Sequence, residues 1–141
     1  MVLRFRLMIL CSLLLAACGG PPVPTAQGVL DRFTAAGLEA ANPRRPPFAD
    51  QGQFPRTFSE GLTFDLPSLG RNPVDQTRNG SVLICATKAD CDTIYAYLDG
   101  YSGLVGPYYY QSHAGTVVVF LDHMMAKTTA DKYAKVVDEL P

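Results

Sequence analysis

Apolar and polar positions along this chain follow two periods, one helical and one extended. From Thr25 the apolar residues Val29, Leu30 and Phe33 fall on one helical face. Thr25 suits the N-cap, and Gly37 suits the stop, with Leu38 folding back on Phe33. Over 58–66 the period is two: Phe58, Leu62, Phe64 and Leu66 face one way, Ser59, Gly61, Thr63 and Asp65 the other, and Glu60 breaks the pattern. That spacing predicts a strand with one buried and one wet face, ended by Pro67. A second strand is predicted over 81–86. Thr87 and Asp90 then form a capping box opening a helix over 88–101, where Cys91, Ile94, Tyr95 and Leu98 recur at helical spacing before Gly100 and Gly103.

Residues 108–113 and 116–121 flank Ala114-Gly115 and predict a β-hairpin. The second arm is apolar on both faces, as in a strand covered on both sides. A last helix is predicted from Thr128 or Thr129, with Tyr133, Val136, Val137 and Leu140 on one side and Asp131 with Lys135 as an i,i+4 pair. Segments 42–57 and 67–80 lack either period. The first holds Pro43, Pro46, Pro47 and Pro55 with Arg44, Arg45 and Arg56, and predicts an irregular surface loop. The order helix, strand, strand, helix, strand, strand, helix predicts an α+β fold: a mainly antiparallel sheet of about four strands with three packed helices, one domain over 25–141.

The first twenty residues follow neither pattern. Arg4 and Arg6 precede an eleven-residue run, 7–17, that is apolar except for Ser12. This is the layout of a secretory signal peptide. The run covers about half of a bilayer core of roughly 30 Å, too little for a permanent span. It ends in Leu15-Ala16-Ala17-Cys18, which resembles the lipobox of bacterial lipoproteins: leucine, two small residues, then the cysteine before which the chain is cut. The resemblance covers residues 1–20. It implies that 1–17 is a lipoprotein signal peptide and that Cys18 takes a diacylglyceryl group on sulfur and commonly an acyl chain, such as palmitate, on nitrogen. Residues 18–24 are then a lipidated N-terminus and spacer. The implied partner is a membrane, cell or outer, held through the acyl chains on Cys18, with the domain on its extracytoplasmic side. Two or three chains anchor stably where one is marginal.

Charge and cysteines narrow the picture further. The chain carries 12 basic and 13 acidic residues for a net charge of −1, and loss of Arg4 and Arg6 brings this to −3. With Lys88, Lys127, Lys132 and Lys135 interleaved with acids, nucleic acid is not an expected partner. Once Cys11 is removed and Cys18 acylated, Cys85 and Cys91 remain. One sits at a strand end and the other in the first helical turn, within reach of a disulfide outside the reducing cytosol.

Motifs that carry chemistry are sparse. Gly100-Tyr-Ser-Gly-Leu104 lacks the last glycine of a nucleophile elbow and follows a helix instead of a strand, so Ser102 is read as a turn residue. The Cys-x5-Cys and His-x9-His spacings, with His113 and His123, match no common zinc site, and no metal or cofactor is expected. Asp90 and Asp92 suit a helix N-terminus. Tyr108, Tyr109 and Tyr110 send alternate rings to opposite faces of a strand and are the candidate interaction surface, with Arg44 and Arg45 of the proline-rich loop as a second. Two readings follow. One is a non-enzymatic envelope module binding an envelope protein or polymer. The alternative is a small hydrolase-like envelope enzyme, with a site built by the long loops around Asp90, His113 and Ser102.

Overall fold

The computed structural model describes residues 23–74 and 76–141. Elements run in the order α1 (Ala26–Ala35), β1 (Ala41–Arg44), β2 (Phe58–Asp65), β3 (Asn79–Cys85), α2 (Lys88–Gly100), α3 (Ser102–Val105), β4 (Tyr109–Gln111), β5 (Val117–Leu121) and α4 (Lys127–Asp138). The strands form one antiparallel sheet in the order β1-β2-β3-β5-β4. The α+β class expected from the sequence is what forms, with a fifth strand and a one-turn helix added.

The helix ends follow local chemistry. Thr25 Oγ1 accepts from the Gly28 N–H at 3.0 Å. At the other end Gly37 takes φ +74°, the Leu38 N–H reaches Phe33 O and the Gly37 N–H reaches Thr34 O, both at 2.9 Å, which satisfies carbonyls the helix would leave open. Thr87 and Asp90 close the expected capping box on α2. The turn between β4 and β5 is as expected too: Gly115 at φ +79° returns its N–H to Ser112 O.

Helices cover both faces of the sheet. On one, Val29, Leu30 and Phe33 of α1 and Ala130, Tyr133 and Val137 of α4 pack on Phe64, Val82, Ile84, Val117, Val119 and Leu121. The Phe33 ring meets Tyr133 edge-on at 4.9 Å. On the other face, Cys91, Ile94 and Leu98 of α2 pack on Leu83, Cys85 and Val118. Every residue of β3 after Asn79 is therefore buried, and β5 is buried except for the half-covered Phe120.

Four expectations need correcting. Segment 42–57 is no irregular loop: it supplies β1, paired with β2, then a 3₁₀ turn over Pro47–Asp50 whose Phe48, together with Phe54, lies against Phe120, 5.5 and 6.4 Å between ring centres. These rings extend the cover that α2 starts. The second face of β2 is therefore not wet throughout: Thr63 and Asp65 there are buried and Gly61 is half-buried, while Ser59 stays exposed. Phe58 does not share a face with Leu62 and Phe64. The pairing shifts by one between Phe58↔Cys85 and Glu60↔Ile84, a bulge that turns Phe58 toward the α2 side and leaves Glu60 exposed. Lastly, α4 begins at Lys127, and Asp131 pairs back with Lys127 at 2.7 Å instead of forward with Lys135.

Candidate functional site

Cys18 and the signal-like segment lie outside the described residues. Cys85 and Cys91 are joined by a disulfide, with Cα atoms 5.6 Å apart, and both are fully buried between β3 and α2. The sulfurs thus serve the core and offer no reactive surface.

The arginines are engaged within the domain. Arg44 Nη1 donates to Asp65 Oδ1 at 2.6 Å, and Asn42 Nδ2 donates to the other carboxylate oxygen at 3.0 Å. Arg45 pairs with Asp50 at 2.8 Å on the surface, and Arg56 reaches Asp50 O at 3.2 Å. Arg45, Asp50 and Arg56 rim a cleft of about 360 Å³ above Phe58 and Gly61.

Asp90, His113 and Ser102 do not form one site. Asp90 is in the first turn of α2 and caps it, while Ser102 lies past its end, so the remaining ten residues of the helix, about 15 Å at 1.5 Å per residue, lie between them. His113 and His123 are exposed in turns. Among the described residues there is no group of three or more His, Cys, Asp or Glu side chains that could hold a metal ion, and no helix long and apolar enough to cross a membrane.

The three tyrosines do come together with other groups, around the free edge of β4. All are half-buried. Tyr108 and Tyr110 pack on the α1/α4 side and Tyr109 on the α2 side, the alternation expected of a strand. The Tyr109 hydroxyl donates to Asp99 Oδ1 at 2.6 Å, and its ring meets Tyr95 edge-on at 5.1 Å. Gln111 Nε2 donates to Asp92 Oδ1 at 2.9 Å and to Gly115 O at 3.0 Å, while Lys88 Nζ holds the same Asp92 at 2.7 Å. A cleft of about 560 Å³ runs along this edge from Tyr95 on α2, past Tyr109, Tyr110 and Gln111, to Asp131, Ala134, Lys135 and Asp138 on α4.

The electrostatics keep these groups in fixed states. The Asp99 carboxylate accepting from Tyr109, aided by burial, pushes that phenol up to about 12; burial first, then the Asp131 charge, does the same to Tyr110. Hydrogen bonds from Lys88 and Gln111 hold Asp92 below the usual carboxylate range. At neutral pH the lining therefore presents Tyr109 and Tyr110 as neutral phenols, with Asp92 nearby as a carboxylate. It offers hydrogen bonds and ring faces, while no lining residue is a serine, cysteine or histidine. Such a surface is equipped to bind.

Sequence reasoning found the tyrosines and missed Tyr95, Asp99, Gln111, Asp131, Lys135 and Asp138 as their neighbours. The spacing of Asp131, Lys135 and Asp138 at i, i+4 and i+7 marked one polar helix face, but nothing local says that this face borders β4. Compared with known proteins, the chain matches no family model, no curated protein and no solved structure.

Proposed function

We propose that this protein is a lipid-anchored binding module of the bacterial envelope, tethered through acyl chains on Cys18 and held on the extracytoplasmic side of its membrane. The observation that carries this reading is Leu15-Ala16-Ala17-Cys18 at the end of a short apolar run behind Arg4 and Arg6. A paired Cys85 and Cys91 supports it, since stable disulfides belong outside the reducing cytosol. So does the placement of the first helix, capped by Thr25. From Cys18 to Thr25 the spacer Gly19-Gly-Pro-Pro-Val-Pro24 reaches about 20 Å when extended, enough to lift the domain clear of lipid headgroups without releasing it. The binding role, as opposed to a catalytic one, rests on the β4 cleft, where the Tyr109 hydroxyl is bonded to Asp99 and Asp131 to Lys127, and whose lining holds no serine, cysteine or histidine.

Intact mass of the membrane-extracted protein, wild type beside Cys18→Ser, tests the anchor. A mass starting at Cys18 plus acyl chains, lost in the variant, is expected. An unmodified protein released into the soluble fraction would overturn the reading.

A further inference from the structure

Residues 47–56 cross the second face of the sheet without joining it. Their backbone bonds stay local: the Ala49 N–H reaches Pro46 O at 3.1 Å, the Gln51 N–H reaches Phe48 O at 3.0 Å and the Phe54 N–H reaches Gln51 O at 3.3 Å. The side-chain bonds are local too, since Arg45 pairs with Asp50 and Arg56 Nη2 donates to Asp50 O. Among the described residues, no hydrogen bond or ion pair runs from 47–56 to the sheet or to α2. The ends, by contrast, are fixed. Pro46 is buried, with its Cγ 3.1 Å from the place a Cβ on Gly61 would take. At the far end the Thr57 hydroxyl donates to Asp90 O at 2.8 Å.

Ring contacts hold the middle of the segment down. Phe48 meets Phe54 at 4.4 Å between ring centres and Phe120 at 5.5 Å, while Phe54 reaches Tyr97 at 5.2 Å and Phe58 at 6.2 Å. Both rings are only half-buried. The register sets Thr63, Ser81 and Phe120 in one row across β2, β3 and β5, with their side chains on this face of the sheet. α2 packs on the next row, Leu83 and Val118, and leaves the Phe120 row to the segment. Thr63 Oγ1 and Ser81 Oγ share a hydrogen bond of 2.8 Å, and both residues are 1% exposed.

We propose that 47–56 is a lid, which swings as one unit about hinges at Pro46 and Thr57 and uncovers the Thr63–Ser81–Phe120 row while the sheet and α2 stay folded. Opening breaks ring contacts and no backbone hydrogen bond to the sheet, and the bonds inside the segment keep its shape as it moves. The Arg45–Asp50 pair spans one hinge, but both side chains are largely exposed, so it adds little to the closed state. Closed, the lid hides two hydroxyls beside a ring; open, it leaves a trough floored by them. The inference depends neither on the anchor nor on the β4 cleft.

The test is alkylation of a thiol placed under the lid. Ser81→Cys, close to the natural size, is treated with iodoacetamide in the full chain in detergent micelles. Val119→Cys, at a fully buried site on the α1/α4 face that the lid does not cover, is treated beside it. Labelled sites are read by peptide mass, so a thiol elsewhere does not count, and each rate is divided by that of the same variant unfolded. Labelling at Ser81→Cys is expected to be about tenfold or more faster than at Val119→Cys and insensitive to low urea, as for an opening that exposes little surface. Phe54→Ala removes a ring that the closed lid buries and should speed labelling at Ser81→Cys about tenfold or more in the absence of urea. Thr57→Val frees one end and should speed it about threefold or more. Equal rates at the two sites, with the same urea dependence, would mean that the segment lifts only when the whole domain unfolds, and would overturn the lid. Fast labelling that Phe54→Ala leaves unchanged would overturn it as well, since another route would then expose the floor. Thr63→Cys reads the same floor if Ser81→Cys does not fold.

Discussion

Opening the Cys85–Cys91 bond removes a seven-residue loop constraint, and its cost can be worked from the structure. In the chain-entropy model a closed loop of seven residues takes about 2.4 kcal/mol of entropy from the unfolded state at 25 °C. The native state loses little in return, since reduction leaves the packing around both sulfurs largely intact. A stability drop of about 2 kcal/mol lowers the melting temperature of a domain this size by about 8–10 °C. The assay is urea denaturation of the full chain followed by circular dichroism, with and without a phosphine reductant, and of a Cys85→Ala/Cys91→Ala variant beside it. Midpoints should fall with the slope unchanged. Because both cysteines are fully buried, reduction should also wait on unfolding and accelerate with urea. Coincident midpoints would refute the staple, and reduction at the rate of an exposed disulfide would refute its burial.

Other outcomes follow from single contacts. Gly106 stands at φ +87° with the His123 Cβ 2.4 Å and the His123 Cα 3.0 Å from where a Cβ would sit, so Gly106→Ala should cost about 2–3 kcal/mol by strain and overlap in thermal denaturation. Phe54 joins Phe48, Phe58, Tyr97 and Phe120, and Phe54→Ala should cost about 2–3 kcal/mol, below a fully buried phenylalanine because its ring is partly exposed, with faster amide exchange over 47–57. Tyr109, Tyr110 and Tyr133 all have phenols pushed up to about 12, from an unfolded value of 10.0. The folded state holds those protons more tightly, so their contribution is fully present below pH 10 and is lost as pH rises from 10 to 12. Urea midpoints measured across that window should fall, and a flat profile would count against the phenol environments described.

What the sequence by itself determined is what neighbours within a few residues decide. Thr25 and Gly37 bracket α1, Thr87 and Asp90 cap α2, and Gly115 turns the β4–β5 hairpin, each through bonds spanning at most five positions. The burial of β5 on both faces was readable for a related reason: an unbroken apolar run has no wet side to offer. Tertiary structure decided the rest. β1 has no pattern of its own, because Pro43 and Arg44 become a strand only when β2 lies beside them and Asp65 meets Arg44. Phe48 and Phe54 looked like isolated apolar residues in a proline-rich loop, and their role exists only once Phe120 and Tyr97 are brought under them. One extra residue at the bulge beside Ser59 reversed the side to which Phe58 points, a change of register that the partner strand imposes. The β4 cleft belongs to the same class. Tyr95, Gln111 and Asp138 lie far apart in the chain, and only the packing of α2 and α4 on opposite faces of one sheet sets them around its free edge.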